Sequence, residues 1–207
     1  MSPVIARQFN YHSSHVAHAL RPCPAGTSGR AGRTTGVVWK ASQMTIPDER
    51  WQRRIADLWA TFDDHEPQDF LAKVKDLAGE LPAGNAIAEY ELASAYDSTG
   101  HEAEAAVHYR RAFADGLPDS HRRQATIQFA STLRNLGEAE ESVRLLTAER
   151  DAGSDELDDA VTAFLALALT DLDRDREAAA LALGALSRHL PRYNRSLSNY
   201  AKALIEP

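Results

Sequence analysis

Three histidines and the single cysteine of the chain, His12, His15, His18 and Cys23, lie close together near the amino terminus. Imidazole nitrogen and thiolate sulfur are ligands that Zn²⁺ prefers, so four such side chains are enough for a tetrahedral site. Their spacing, however, matches no closed structural zinc site, and the surrounding residues indicate no rigid scaffold. We therefore expect no metal site in this segment.

A second candidate is an alternating run of aspartates, Asp171, Asp173 and Asp175, which is similar to the opening of a calcium-binding loop. Such a loop needs glycine at the next position and a bidentate glutamate at its end. Arg176 and Ala182 stand at those two positions. We therefore expect no calcium site.

A third acidic run, Asp63, Asp64, His65 and Glu66, lies between two apolar segments and is typical of a solvated turn between helices. The chain has no glycine-rich phosphate loop, no serine elbow and no zinc helix with paired histidines. Nothing singles out two catalytic carboxylates among its 30 acidic residues. We expect neither a catalytic residue nor a cofactor, and a small hydrolase or metal enzyme stays open only as a third alternative.

The chain contains a repeat between residues 92 and 185. Its three copies are Leu92, Ala93, Tyr96, Gly100, Ala105, Tyr109 and Ala112; Phe129, Ala130, Leu133, Gly137, Ser142, Leu146 and Glu149; and Leu165, Ala166, Leu169, Asp173, Ala178, Ala182 and Ala185. The turn positions lie 37 and 36 residues apart, close to the ~34 residues of a unit built from two helices.

Each copy predicts two antiparallel helices. Large apolar residues four positions apart lie on one helical face, and the alanine beside the first leaves room for a neighbouring helix to approach closely. Gly100 and Gly137 permit the left-handed backbone that reverses the chain, whereas Asp173 adopts it only at a cost. The spacing and the turn residues therefore indicate the same helix pairs.

In these positions the chain resembles the tetratricopeptide-repeat family, and it looks most like the small free-standing bacterial members. The resemblance covers roughly residues 86 to 190 and departs from the family pattern at Glu89, Thr126 and Thr162, where a bulky residue is frequent. It implies an all-α fold, namely a right-handed α-solenoid of antiparallel helix pairs with about three clear units. It also implies a non-catalytic role in binding another protein.

Two more helices are predicted before the repeats and one after them. Residues 48–63 carry Trp51, Ile55, Leu58, Trp59 and Phe62 at spacings of three and four, and residues 67–81 continue this pattern. We expect them to form a degenerate amino-terminal pair, and the stretch NRSLSNYAKALI to form a carboxyl-terminal capping helix. The prediction is eight helices plus this closing one, with no sheet.

Charge divides the chain into two parts. Residues 1–43 contain five basic residues and no acidic one, while residues 44–207 contain 18 basic and 30 acidic residues. We assign 1–43 to a basic leader and 44–207 to the helical repeat domain. The leader is either a disordered extension or a mis-assigned start, with Met44 as the true one, or an organelle-targeting peptide, because such peptides are rich in Arg and Ser and poor in acids.

The longest apolar run, residues 160–169, has ten residues, half of the ~20 that span a bilayer. We therefore expect no membrane association, and a single cysteine allows no intramolecular disulfide, which favours a cytoplasmic protein. Binding to nucleic acid draws its affinity from clustered Lys and Arg, so the acidic domain also argues against a nucleic-acid partner.

The resemblance implies that the first helices of successive units line a concave groove. We call the residues that they would present there the predicted groove: Tyr90, Ser94, Asp97, Ser98, Ile127, Ser131, Arg134 and Asn135. Leu167, Thr170 and Asp171 would extend it. The expected function is a protein-interaction scaffold that binds a peptide or helix of a partner there. The alternative is a self-associating accessory subunit, a homodimer in contact through Trp51, Trp59 and Tyr200.

Overall fold

The computed structural model describes residues 46–206, and in this part of the chain every regular element is helical. The nine α-helices are α1 (Glu49–Ala60), α2 (Pro67–Ala78), α3 (Ala86–Ser98), α4 (Glu102–Ala114), α5 (Asp119–Asn135), α6 (Ala139–Ala152), α7 (Asp158–Thr170), α8 (Asp175–Ser187) and α9 (Asn194–Ala203). A short 3₁₀ helix, Phe62–Asp64, lies between α1 and α2. The prediction of an all-α fold is confirmed, whereas the leader 1–43 lies outside the described residues.

Helices α1 and α2 form the predicted amino-terminal pair. The Asp48 carboxylate accepts a hydrogen bond from the backbone N–H of Trp51 at 2.8 Å and so caps α1. The Trp51 indole nitrogen donates to the carbonyl of Leu77 in α2, also at 2.8 Å. The apolar cluster of this pair includes Ile87 and Ala95 of α3, so the pair is joined directly to the repeats.

Three apolar clusters follow one another along the described chain. The first joins α1, α2 and α3, the second joins α3, α4 and α5, and the third joins α5 to α8. The three repeat alanines, Ala93, Ala130 and Ala166, are all buried, as close helix packing requires. Because neighbouring clusters share a helix, the core extends along a stack of helix pairs instead of surrounding one centre.

The three turns between the paired helices share one geometry. Gly100, Gly137 and Asp173 have φ angles of +79°, +84° and +58°, which lie in the left-handed region that glycine adopts without strain. The residue after each turn donates its N–H to the carbonyl of the residue five positions before it, as His101 does to Tyr96. The predicted turn positions are therefore confirmed, and the aspartate at position 173 takes the backbone conformation of a glycine.

The third unit departs from the expected register. Ala182, which stands at the repeat position of Tyr109 and Leu146, is exposed. Leu181, one residue earlier, packs against the third cluster instead. An alanine side chain is too short to fill the space of a tyrosine or leucine, so the repeat position at 182 does not contribute to the core as it does in the first two units.

The closing helix α9 continues the register of the first helices. Tyr200, Ala201 and Leu204 repeat the spacing of Leu92, Ala93 and Tyr96. Ala201 is buried like the three earlier alanines, and α9 packs against α8. Helix α9 therefore covers the third unit with the face that carries Ala201. This face corresponds to the buried face of the earlier first helices.

Candidate functional site

The structure places the predicted groove residues on two consecutive first helices. Tyr90, Ser94, Asp97 and Ser98 lie on α3, and Ile127, Ser131, Arg134 and Asn135 lie on α5. Five of them are buried, namely the four on α3 and Ile127, whereas Ser131 and Arg134 are half-buried and Asn135 is exposed. The eight positions therefore divide into an interior group and a group that can meet a partner.

Tyr90 and Ile127 belong to the interior group. Only 1% of Tyr90 is exposed, and its ring lies edge-on to that of His121 with 5.6 Å between the ring centroids. Ile127 is part of the third apolar cluster. Residues this deeply buried hold helices together, so Tyr90 does not present an aromatic anchor to a partner in this conformation.

Polar side chains on α3 pair with polar side chains on α5. The Thr132 hydroxyl donates to Oδ1 of Asp97 at 3.0 Å, and the Ser94 hydroxyl donates to Oε1 of Gln128 at 3.5 Å. All four side chains are buried, so each bond satisfies groups that would otherwise lose their hydration without compensation. These bonds link one repeat unit to the next.

The same kind of link connects α5 to the end of α7 through Arg134 and Asp171. Nε of Arg134 lies 2.5 Å from Oδ2 of Asp171, and Nη2 donates to Oδ1 at 3.3 Å. Only the Nη2 contact has hydrogen-bond geometry, and together with the ion pair it restrains the position of the guanidinium. Arg134 is therefore held in place by the following unit.

Burial changes the acidity of Asp97. Removal from water raises the pKa of its carboxyl to about 7, and the hydrogen bond from Thr132, which acts in the opposite direction, offsets only part of that rise. Burial likewise raises the pKa of the Tyr109 phenol well above its ordinary value. Asp97 of α3 and Tyr109 of α4 both lie in the interior, where a charge is poorly solvated.

Four of the side chains that remain accessible form what we call the accessible surface: Ser131, Arg134 and Asn135 of α5 together with Leu167 of α7. Thr170 and Asp171, at the end of α7, are exposed as well. Leu167 is 46% exposed, whereas its apolar neighbours on α7, Ala166 and Ala168, are buried. The accessible surface combines hydroxyl and amide groups, a fixed guanidinium and one aliphatic side chain. Such a set can hydrogen-bond a peptide backbone and contact an apolar side chain at the same time.

Within residues 46–206 no group of three His, Cys, Asp or Glu side chains is close enough to hold a metal ion. That range includes the acidic run at 63–66 and the three aspartates at 171, 173 and 175. His12, His15, His18 and Cys23 lie outside the described residues. None of the helices described is both long enough and apolar enough to cross a bilayer.

Sequence reasoning missed the partners of the interior group, Gln128 and Thr132. The sequence does contain a signal for such partners, because the two residues of each pair are separated by about one repeat. The separation is 34 positions for Ser94 and Gln128, 35 for Asp97 and Thr132, and 37 for Arg134 and Asp171. Polar residues that recur on first helices at the repeat spacing therefore indicate contacts between units.

The geometry agrees with the comparison to known families. Residues 86–204 of the chain match the family model of the tetratrico peptide repeat. The match extends the resemblance seen in the sequence through α9. No curated protein and no solved structure matches the chain at a significant level. The family generally supplies scaffolds for protein–protein interaction and is typically non-catalytic. With its paired helices, repeated turns and matching family model, the chain belongs to the tetratrico peptide repeat family.

Proposed function

We propose that this protein is a non-catalytic interaction scaffold that binds an extended peptide or a helix of a partner protein along the accessible surface. The observation that carries the proposal is the presence of partly or fully exposed polar and apolar side chains on the consecutive first helices α5 and α7, which the Arg134–Asp171 ion pair links. Ser131, Arg134 and Asn135 come from α5, and Leu167 comes from α7.

The links between units support this role because they preorganise the surface. Arg134 is already oriented by Asp171, so less side-chain freedom is lost when a partner binds. Its guanidinium and the neighbouring carboxylate supply donors and acceptors to a main chain, and Leu167 supplies a contact for an apolar side chain. An interface of this kind gains specificity from the polar groups and affinity from the apolar contact.

Affinity purification from the native cell tests the proposal with three forms of the protein, namely the wild type and two variants. We expect the wild type and Val107→Asp to capture the same partner and Leu167→Asp to lose it. Val107 is the matched control, since it is 44% exposed on α4 and Leu167 is 46% exposed on α7. Equal capture by both variants would count against the accessible surface.

Self-association is a second candidate function, and the exposure of α9 favours it. Tyr200 is 73% exposed on α9, and Tyr193 is 77% exposed at its start. The sequence predicts Trp51 and Trp59 for the same contact, but each is 5% exposed in the first apolar cluster and is not available to a second copy. The contact would therefore rely on the tyrosines. Sedimentation equilibrium of wild type and Tyr200→Ser checks this, and a wild-type monomer at every concentration eliminates the candidate.

A further inference from the structure

The closing helix α9 is held less firmly than the first helix before it. Helix α7 packs against both helices of the preceding unit, α5 and α6. Helix α9 packs mainly against α8, and a cleft of about 460 Å³ lies between α9, α8 and the connection from α6 to α7. Ala201 is the one residue of α9 that is buried. Only a narrow apolar contact with α8 therefore keeps α9 in its place.

Helix α9 depends on that contact for its own structure. It has ten residues, and four of them are Ser or Asn, which favour non-helical backbones, so an isolated segment of this length is not a stable helix in water. Nε of Arg176 in α8 donates to the carbonyl of Leu204 at 3.2 Å, but this hydrogen bond is exposed. Helix α9 is therefore stable only when it lies on an α8 surface, and a second copy of the chain supplies an identical one.

The connection from α8 to α9, residues 188–193, contains a strained residue. Tyr193 has a φ of +65°, in the left-handed region, which is costly for a residue with a side chain. The side chain is also 77% exposed, so packing offsets little of that cost. Pro191 favours an extended backbone at Leu190, the residue before it. An extended connection, which carries α9 away from its own α8, therefore relieves the strain at Tyr193.

We propose that α9 exchanges between two copies of the chain, so that α9 of each copy packs against α8 of the other. The exchanged dimer keeps the contact between α8 and α9, because the same residues meet, and it releases the strained connection in both copies. Exchange of an identical element costs little free energy, and a short strained hinge favours it.

This contact differs from association through the exposed tyrosines of α9. In the exchanged dimer α9 uses the face that carries Ala201, and Tyr200 stays exposed. The accessible surface takes no part in the exchange, so the dimer carries two copies of that surface.

Sedimentation equilibrium from micromolar to millimolar concentration tests the proposal with wild type, Tyr193→Gly and Tyr200→Ser. We expect wild type to form a dimer. Glycine removes the strain from two connections per dimer, so Tyr193→Gly should raise the dissociation constant about tenfold or more. Tyr200→Ser is the matched control and should leave it unchanged, since Tyr200 is 73% exposed but lies within α9. A wild-type monomer at every concentration, or an equally strong dimer of Tyr193→Gly, overturns the proposal.

Crosslinking within the dimer locates the contact. Chains with p-benzoylphenylalanine at position 205, which lines the cleft together with Leu181 and Ala185 of α8, are prepared in ¹⁴N and ¹⁵N forms and mixed before the dimer forms. After irradiation of the dimer fraction, mass spectrometry should find adducts between position 205 of one isotope and α8 of the other. Adducts confined to single chains overturn the exchange. Leu167→Asp should change neither result, so this inference and the proposed function can fail separately.

Discussion

At the scale of single residues, Asp97 shows how burial changes a side chain that the sequence presents as a surface acid. Its pKa of about 7 in the folded protein lies above the ordinary 3.8. The folded state therefore keeps a proton that the unfolded chain has already lost between these pH values. It follows that Asp97 contributes stability at pH values below 3.8 and that this contribution is lost as the pH rises through about 7.

Asp97→Asn should remove this dependence, because the amide oxygen still accepts the hydrogen bond from Thr132 and carries no proton to lose. Relative to wild type, we expect the free energy of unfolding of the variant to rise by roughly 4 kcal/mol between pH 4 and pH 7.5. Urea unfolding across that range measures the difference. Asp57→Asn, at an exposed position of α1, is the control, and parallel curves for Asp97→Asn and wild type would contradict the account.

The sequence predicts the face of a helix better than the depth of a residue. Helical spacing correctly placed Ala93 and Ala130 in the core, since it depends only on the local period. The same spacing grouped Tyr90 with Arg134 on one inward side, although the structure buries the first and leaves the second half-exposed. Depth depends on how closely the next unit approaches, and local spacing contains no information about that distance.

At the scale of elements, the turns within the helix pairs control the reversal of the chain. Gly100 and Gly137 have left-handed backbones, and a Cβ atom at either position would meet nothing within 4 Å. The cost of any side chain there is therefore in the backbone alone. Asp173, with a φ of +58°, bears that cost in the third unit.

Substitutions at these turns should therefore change the free energy of unfolding in opposite directions, depending on whether they remove or introduce glycine. We expect Gly100→Ala to lower the free energy of unfolding by about 1 kcal/mol and Asp173→Gly to raise it by a similar amount. Thermal and chemical unfolding of the purified variants measures both. The account fails at this scale if the two substitutions shift stability in the same direction.

Helix pairing could be predicted because each pair is local in the sequence. The shift of register in α8 could not be predicted. Leu181, and not Ala182, packs against the core there, and this shift by one residue depends on the neighbouring helices. Alanine-rich helices carry little information about register, because alanine fits both buried and exposed positions.

At the scale of the whole molecule, the units are held together by side chains that reach from one unit to the next. Arg123 is an example at the amino-terminal end of α5. Its side chain is 12% exposed. The guanidinium lies 3.3 Å from Glu149 at the end of α6, 2.8 Å from Asp155 in the following connection and 2.7 Å from Asp158 at the start of α7. One cation therefore fixes three acidic groups where the second unit meets the third.

Arg123→Met should leave these carboxylates facing one another without a cation. We expect a loss of about 2 kcal/mol in the free energy of unfolding, less than for a fully buried pair, because two of the acids are more than a third exposed. Hydrogen exchange should become faster in residues 153–158 and change little in α1 and α2. Uniform acceleration along the chain would show that the effect is not local to this junction.

The central claim is that the accessible surface, formed by side chains of the successive first helices α5 and α7, is the surface that meets a partner. Site-specific photo-crosslinking in the native cell tests it most directly, with p-benzoylphenylalanine placed at position 167 on α7 or at position 107 on α4. The account predicts a covalent adduct with a partner protein from position 167 and none from position 107. An adduct from position 107 alone, or none from position 167, would contradict it.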